Sequence, residues 1–146
     1  MPQEPQQLIA EDQVQISAPV SRVWDVIVRP EYIRQWDDVP ESFTASSLGP
    51  GSVLEWPGSA RLTVTGFHPH SRLRLAYHNP KWNSSVDGIA YDFELQKSSI
   101  GSLLIARVGD WAKAPDGRAQ DYYDASIEFV QNALAKIKEL AEGQRS

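Results

Sequence analysis

A chain of 146 residues, 41% hydrophobic and 23% charged, is long enough for one soluble domain with a real core. Its net charge of −5, from 14 basic and 19 acidic residues with no basic block, argues against nucleic acid or an anionic membrane as main partner. The absence of cysteine excludes disulfides, thiol nucleophiles, cysteine-ligated zinc and iron–sulfur clusters.

Residues 1–11, rich in Gln, Glu and Pro, read as a flexible tail. The folded domain is expected over 12–142, with a short second tail over 143–146. The N-terminal stretch has neither the cationic start nor the long apolar run of a signal peptide. Nor does any segment approach about 18 apolar residues, so the expectation is a cytoplasmic protein without a membrane span. Gln13–Val14–Gln15–Ile16 alternates as a short half-buried strand. Ser17–Ala18–Pro19 is a helix-entry signal, followed by Val20, Val23, Trp24 and Ile27 at helical spacing. Pro30 ends that helix and opens another carrying Tyr32, Ile33 and Trp36.

Beyond Phe43 the period changes to two. Strands are expected over Ser52 to Trp56, Arg61 to Phe67, Arg72 to His78, Ile89 to Gln96 and Leu103 to Val108. Turns at Gly49–Pro50–Gly51, Pro57–Gly58, His68 to Ser71 and Ser98 to Gly101 separate most of them, and a longer loop from Asn79 to Gly88 carries Trp82. A loop with Trp111 and Pro115 then leads to Asp121 to Glu142, a stretch free of Pro and Gly. There Tyr123, Ile127, Val130, Leu134, Ile137 and Ala141 recur at alternating steps of four and three, one face of a long helix. Strands joined by short turns imply an antiparallel sheet, and a single sheet can curl around that helix in an α+β layout.

The stretch Val14 to Trp36, with Ala18–Pro19, Val23–Trp24, Pro30 and Trp36, resembles the START-like helix-grip (SRPBCC) superfamily. Within it, the likeness is to the branch named after the activator of the heat-shock chaperone ATPase, and it runs over roughly Gln13 to Ala141. The resemblance implies a curved antiparallel sheet of about six strands wrapped around the C-terminal helix, with two short helices after the first strand. It also implies an apolar cavity between sheet and helix, in a superfamily that ranges from lipid and hormone carriers to polyketide-cyclase-like proteins. Two sub-readings are excluded. Ring-hydroxylase relatives need cysteine ligands, and the glycine-rich loop of plant pathogenesis-related relatives is missing, since Leu48–Gly49–Pro50–Gly51 is only a turn. The branch name by itself does not establish a chaperone role.

His68–Pro69–His70 and His78 suggest a metal site only weakly, because no carboxylate is spaced to complete a ligand set; no metal or cofactor is expected. Asp37–Asp38 and Asp87 are candidate general acids or bases, with a solvated position as the plainer reading. No nucleophile elbow, phosphate loop or dinucleotide fingerprint is present, so nothing demands catalysis. The aromatic residues carry more information. A ligand site is expected from Trp36, Trp56, Tyr77, Tyr91, Phe93, Tyr123 and Ile127, against the alternative of a packed core. Arg107, whose strand phase is ambiguous, is the candidate contact for a ligand's acidic group; Arg74 is assigned to the outer face. Trp82 and Trp111 flank the expected mouth as lids, loop anchors or partner contacts.

Three functions stay open: a binding protein for a small hydrophobic or aromatic molecule, a cyclase- or hydrolase-type enzyme using the same cavity, and a chaperone-cofactor-like interaction module. The first is favoured. A homodimer or another protein partner is compatible with each.

Overall fold

The computed structural model describes residues 8–37, 39–41, 43–82 and 88–143. The chain runs β1 (Ala10–Ile16), α1 (Val20–Val28), α2 (Pro30–Trp36), β2 (Val53–Trp56), β3 (Ala60–His68), β4 (Arg72–His78), β5 (Ala90–Ser98) and β6 (Gly101–Gly109). A 3-10 turn (Trp111–Lys113) then leads to α3 (Ala119–Gly143). The six strands form one antiparallel sheet in the order β1-β6-β5-β4-β3-β2. The fold is the α+β helix-grip that the alternating strands and the terminal helix call for.

Each strand sorts its residues by the two-residue period of extended chain. On β5, Tyr91, Phe93 and Leu95 face inward, while Asp92 and Glu94 face out among arginines. On β6, Leu104, Ala106 and Val108 are buried inside. The β3–β4 ladder shifts register between Val64 and Gly66, a bulge that adds bend and twist to the sheet. α3, about 38 Å long, packs most closely on β1 and β6 and against α1, α2 and the 3-10 turn. The β2–β4 half of the sheet is left facing the helix across a gap.

β1 begins three residues earlier than alternation alone indicates. Ala10 is buried and pairs with Val108, and the ladder continues to Ile16 opposite Ser102. Glu11 and Asp12, on the open edge of the sheet, hide the strand's period. Ahead of it, the Leu8 N–H donates to Asp110 Oδ1 at 2.8 Å and the Leu8 carbonyl accepts from Trp111 N at 3.0 Å.

Two glycines close the ends of β6. Gly101 has φ +144°, and a Cβ there would lie 2.7 Å from backbone atoms of Ile16 and Ala18. Gly109 has φ +143°, and a Cβ there would lie 2.6 Å from the Leu8 carbonyl oxygen. Neither position admits a side chain without moving β1 or its flanks.

The buried face of α3 consists of Ser126, Val130, Ala133, Leu134, Ile137 and Ala141. The C-terminal half matches the apolar stripe read from the sequence. In the N-terminal half the buried line passes through Ser126 instead of Ile127, and Tyr123 and Ile127 are only half-buried. A polar residue on the stripe conceals its true course.

Candidate functional site

Beneath the half of the sheet that α3 leaves uncovered lies a cavity of about 340 Å³, open to solvent. Its sheet side is built by Trp56 of β2, Ala60 and Leu62 of β3, Tyr77 of β4 and Tyr91 of β5. Opposite stand Tyr122, Ala125, Ser126 and Phe129 from α3, with Trp111 from the 3-10 turn. Asp37 borders it from the end of α2, where its backbone N–H closes the helix on the Ile33 carbonyl at 2.7 Å. A void of about 20 Å³ adjoins it, lined by Trp36 and Phe93 among others and sharing Asp37, Leu62, Tyr91 and Phe129. That space holds at most about one water.

The walls are aromatic and mutually braced. Trp111, 3% exposed, stacks on Tyr122 with centroids 5.0 Å apart and meets Tyr77 edge-on at 5.1 Å. Its indole Nε1–H donates to Ser126 Oγ at 2.7 Å, a buried bond between two lining residues. Tyr91 meets Phe129 edge-on at 5.5 Å, and Trp36 meets Phe93 at 5.7 Å. The Trp36 Nε1–H is satisfied by the Val26 carbonyl at 2.9 Å. Phenols supply much of the polarity. Burial pushes the Tyr91 phenol well above its ordinary value, with the negative charge of Asp37 and then Tyr77 adding to the effect. Burial also raises Tyr77, whose oxygen accepts a long bond from Asn79 Nδ2 at 3.4 Å.

One rim of the cavity is tied down by Asp116. Its carboxylate accepts from Trp82 Nε1 at 3.0 Å and from the Tyr122 hydroxyl, and its Oδ1 accepts from Arg118 N at 3.1 Å. The Tyr122 bond first, and the Trp82 bond among smaller contributions, hold this carboxyl below its ordinary range. Trp82 in turn lies edge-on to Tyr77 and Tyr122 at 5.7 and 6.1 Å. The loop after β4 is thereby joined to the loop that opens α3.

Of the residues expected from the sequence, Trp56, Tyr77 and Tyr91 come together around the main cavity. Trp36 and Phe93 line only the small adjoining void. Tyr123 and Ile127 line neither, because the helix presents Tyr122, Ser126 and Phe129 there instead.

Arg107 is turned away altogether. Leu104, Ala106 and Val108 take the inner face of β6, which sends Arg107 to the convex side, bonded to Glu11 and, at 3.2 Å, to Glu94. Arg74 shares that side, 3.6 Å from Asp92, which Arg72 also grips through two bonds of 3.1 and 2.6 Å. Asp37 is exposed to solvent, as the plainer reading has it, and at the same time stands at the cavity border. Asp38 and Asp87, its companions in that reading, lie outside the described residues. Trp82 and Trp111 act as loop anchors, and the burial of Trp111 removes it as a partner contact.

Among the described residues, no three His, Cys, Asp or Glu side chains gather as a metal site. His68 ends β3 and His70 lies in the turn after it, T-shaped to Trp24 at 6.2 Å. What the arrangement offers chemically is an aromatic enclosure with phenol and serine hydroxyls and one carboxylate at its border.

Residues 17–142 match the sequence family described as activator of Hsp90 ATPase homolog 1-like protein. Similar solved structures include protein MLL2253 from Mesorhizobium loti, at 15% identity and a TM-score of 0.71, covering 94% of this chain and 99% of that one. The Aha1 dimer from Colwellia psychrerythraea is 13% identical with a TM-score of 0.67, covering 92% of this chain and 96% of that one. DynU16, a protein of the dynemicin biosynthetic locus, is 16% identical with a TM-score of 0.60; 95% of this chain aligns to 49% of that one. At these identities the likenesses establish the fold. No curated protein sequence matches the chain.

Proposed function

This chain belongs to the activator of Hsp90 ATPase homolog 1-like family, and on that premise we propose that it binds a small aromatic or hydrophobic molecule between sheet and helix. The observation that carries the reading is the cavity of about 340 Å³ faced by Trp56, Tyr77, Tyr91, Trp111 and Phe129. Concave sites of this size with aromatic walls and a few polar groups are where small ligands are held. An occupant would be retained mainly by apolar area removed from water, about 25 cal/mol per Å² before the costs of binding. The lining supports binding over a cyclase- or hydrolase-type reaction. Ser126 receives a bond from Trp111, and the described lining residues include no histidine or lysine to serve as its base.

The test is a calorimetric titration with a panel of flat bicyclic compounds, mapped on the chain by backbone-amide NMR. Binding should perturb Tyr91, Trp111 and Phe129, and Tyr91→Ala should weaken it. A panel without a single binder, or one bound equally by Tyr91→Ala, would sink the reading. A second reading, self-association, takes its support from the dimer reported for the Colwellia protein and from Ile100, half-exposed at the β5–β6 hairpin beside Pro19 and Val20. Light scattering of the purified chain decides it: a monomer mass at all concentrations removes it.

A further inference from the structure

We propose, building on the binding function above, that the occupant is a positively charged amine on a flat apolar body, its cation held between the aromatic rings and Asp37. The inference starts from the sign of the charges around the cavity. Asp37 is the one charged side chain among the described residues that line it. Of the sheet arginines, Arg72, Arg74 and Arg107 face the convex side, engaged by Asp92, Glu94 and Glu11, and Arg61, between the lining residues Ala60 and Leu62, alternates to the exposed face. Among the described residues that line the cavity, none is basic and so none can receive an acid.

The second observation is what the rest of the wall is made of. Trp56, Tyr77, Tyr91, Trp111, Tyr122 and Phe129 put six rings around a single space. The face of an aromatic ring is the negative end of its quadrupole, so a ring enclosure attracts a cation and repels an anion, more strongly once water is displaced. Carboxylate and rings thus act with the same sign. The negative charge of Asp37 is already felt inside, since it helps to hold the Tyr91 phenol protonated. Size is consistent with a bicyclic amine: about 340 Å³ corresponds to roughly eleven displaced waters.

The experiment compares naphthylmethylamine, naphthalenemethanol and naphthoate, which share a ring system and differ in charge. Calorimetry with the full chain at neutral pH should give the amine an affinity about tenfold above the alcohol, with the acid weakest. Asp37→Asn should lower the amine-to-alcohol ratio toward one, and so should Tyr91→Leu, which keeps apolar bulk without a ring face. Arg107→Leu, on the convex side, should leave the ratio as it is. Equal affinities for amine and alcohol, a preference for the acid, or a ratio insensitive to Asp37→Asn and Tyr91→Leu would each overturn charge selection while the cavity-binding function stands. Should none of the three perturb the amides of the cavity wall, both proposals fall together.

Discussion

Replacing Ser126 with alanine isolates a buried polar bond between two residues of the cavity wall. In the native fold the Trp111 indole N–H donates to Ser126 Oγ at 2.7 Å, with the two residues 3% and 5% exposed. Alanine removes the acceptor and leaves that N–H without its partner. An orphaned buried donor costs about 1–3 kcal/mol, and the small void left by the hydroxyl adds little. The unfolding midpoint should fall by roughly 2–4 °C for each kcal/mol lost in a domain of this size. Urea denaturation of four proteins gives the answer: wild type, Ser126→Ala, Trp111→Phe and the double variant. Trp111→Phe will cost more by itself, because it also trims the stack on Tyr122 and the edge contact to Tyr77. With phenylalanine at 111 there is no donor to strand, so Ser126→Ala should then be nearly neutral. The coupling energy should be about 1 kcal/mol or more. Additive losses would show that the bond does not brace the wall.

Three other outcomes follow from the same geometry. Leu134→Ala, deep in the α3 face, should cost about 2–5 kcal/mol, whereas Lys136→Ala, paired only with exposed Glu139, should stay within about 0.5 kcal/mol; equal shifts would refute the assigned face. Tyr91 and Tyr77 keep their protons above the phenol's ordinary value of 10.0, so the unfolded chain ionises first. Their contribution is intact below that pH and lost as pH rises through the raised folded values, and Tyr91→Phe should flatten the alkaline fall in urea midpoint. Asp116 has the opposite sign: its carboxyl is held below 3.8 by Tyr122 and Trp82, so its contribution is present above that value and lost as pH falls through the lowered one. Asp116→Ala at neutral pH should shift the Trp82 indole N–H resonance as strong acid does in the wild type; an unmoved resonance would contradict the tie.

The fold was legible because its signals are periodic. Leu73, Leu75 and Tyr77 on β4, Tyr91, Phe93 and Leu95 on β5, and Val130 to Ala141 on α3 each repeat with the period of their element. The cavity was only half legible. Trp56, Tyr77 and Tyr91 follow from strand phase, but hydrophobicity guided the choice on α3. Ser126 is hidden beside Ile127 because a serine does not look buried until its indole partner, 15 residues away in sequence, is placed. Its position four residues before Val130 places it on the same helical row. Arg107 sat on a strand whose two faces are both apolar, so no alternation marked its direction. Asp37 depends on where a seven-residue helix ends relative to the sheet, which is a tertiary fact.

The two glycines that bound β6 reach further than the turns they permit. A strand that slid by one residue would exchange its faces, withdrawing Leu104, Ala106 and Val108 and swinging Ile105 and Arg107 inward. A guanidinium would then stand where the apolar side chains of β6 stand now. At Gly101 and Gly109 the backbones of Ile16, Ala18 and Leu8 crowd so closely that no other residue fits, which leaves the strand no room to slide. The electrostatic character of the interior is in this sense decided remotely, by steric stops at the two ends of a neighbouring strand.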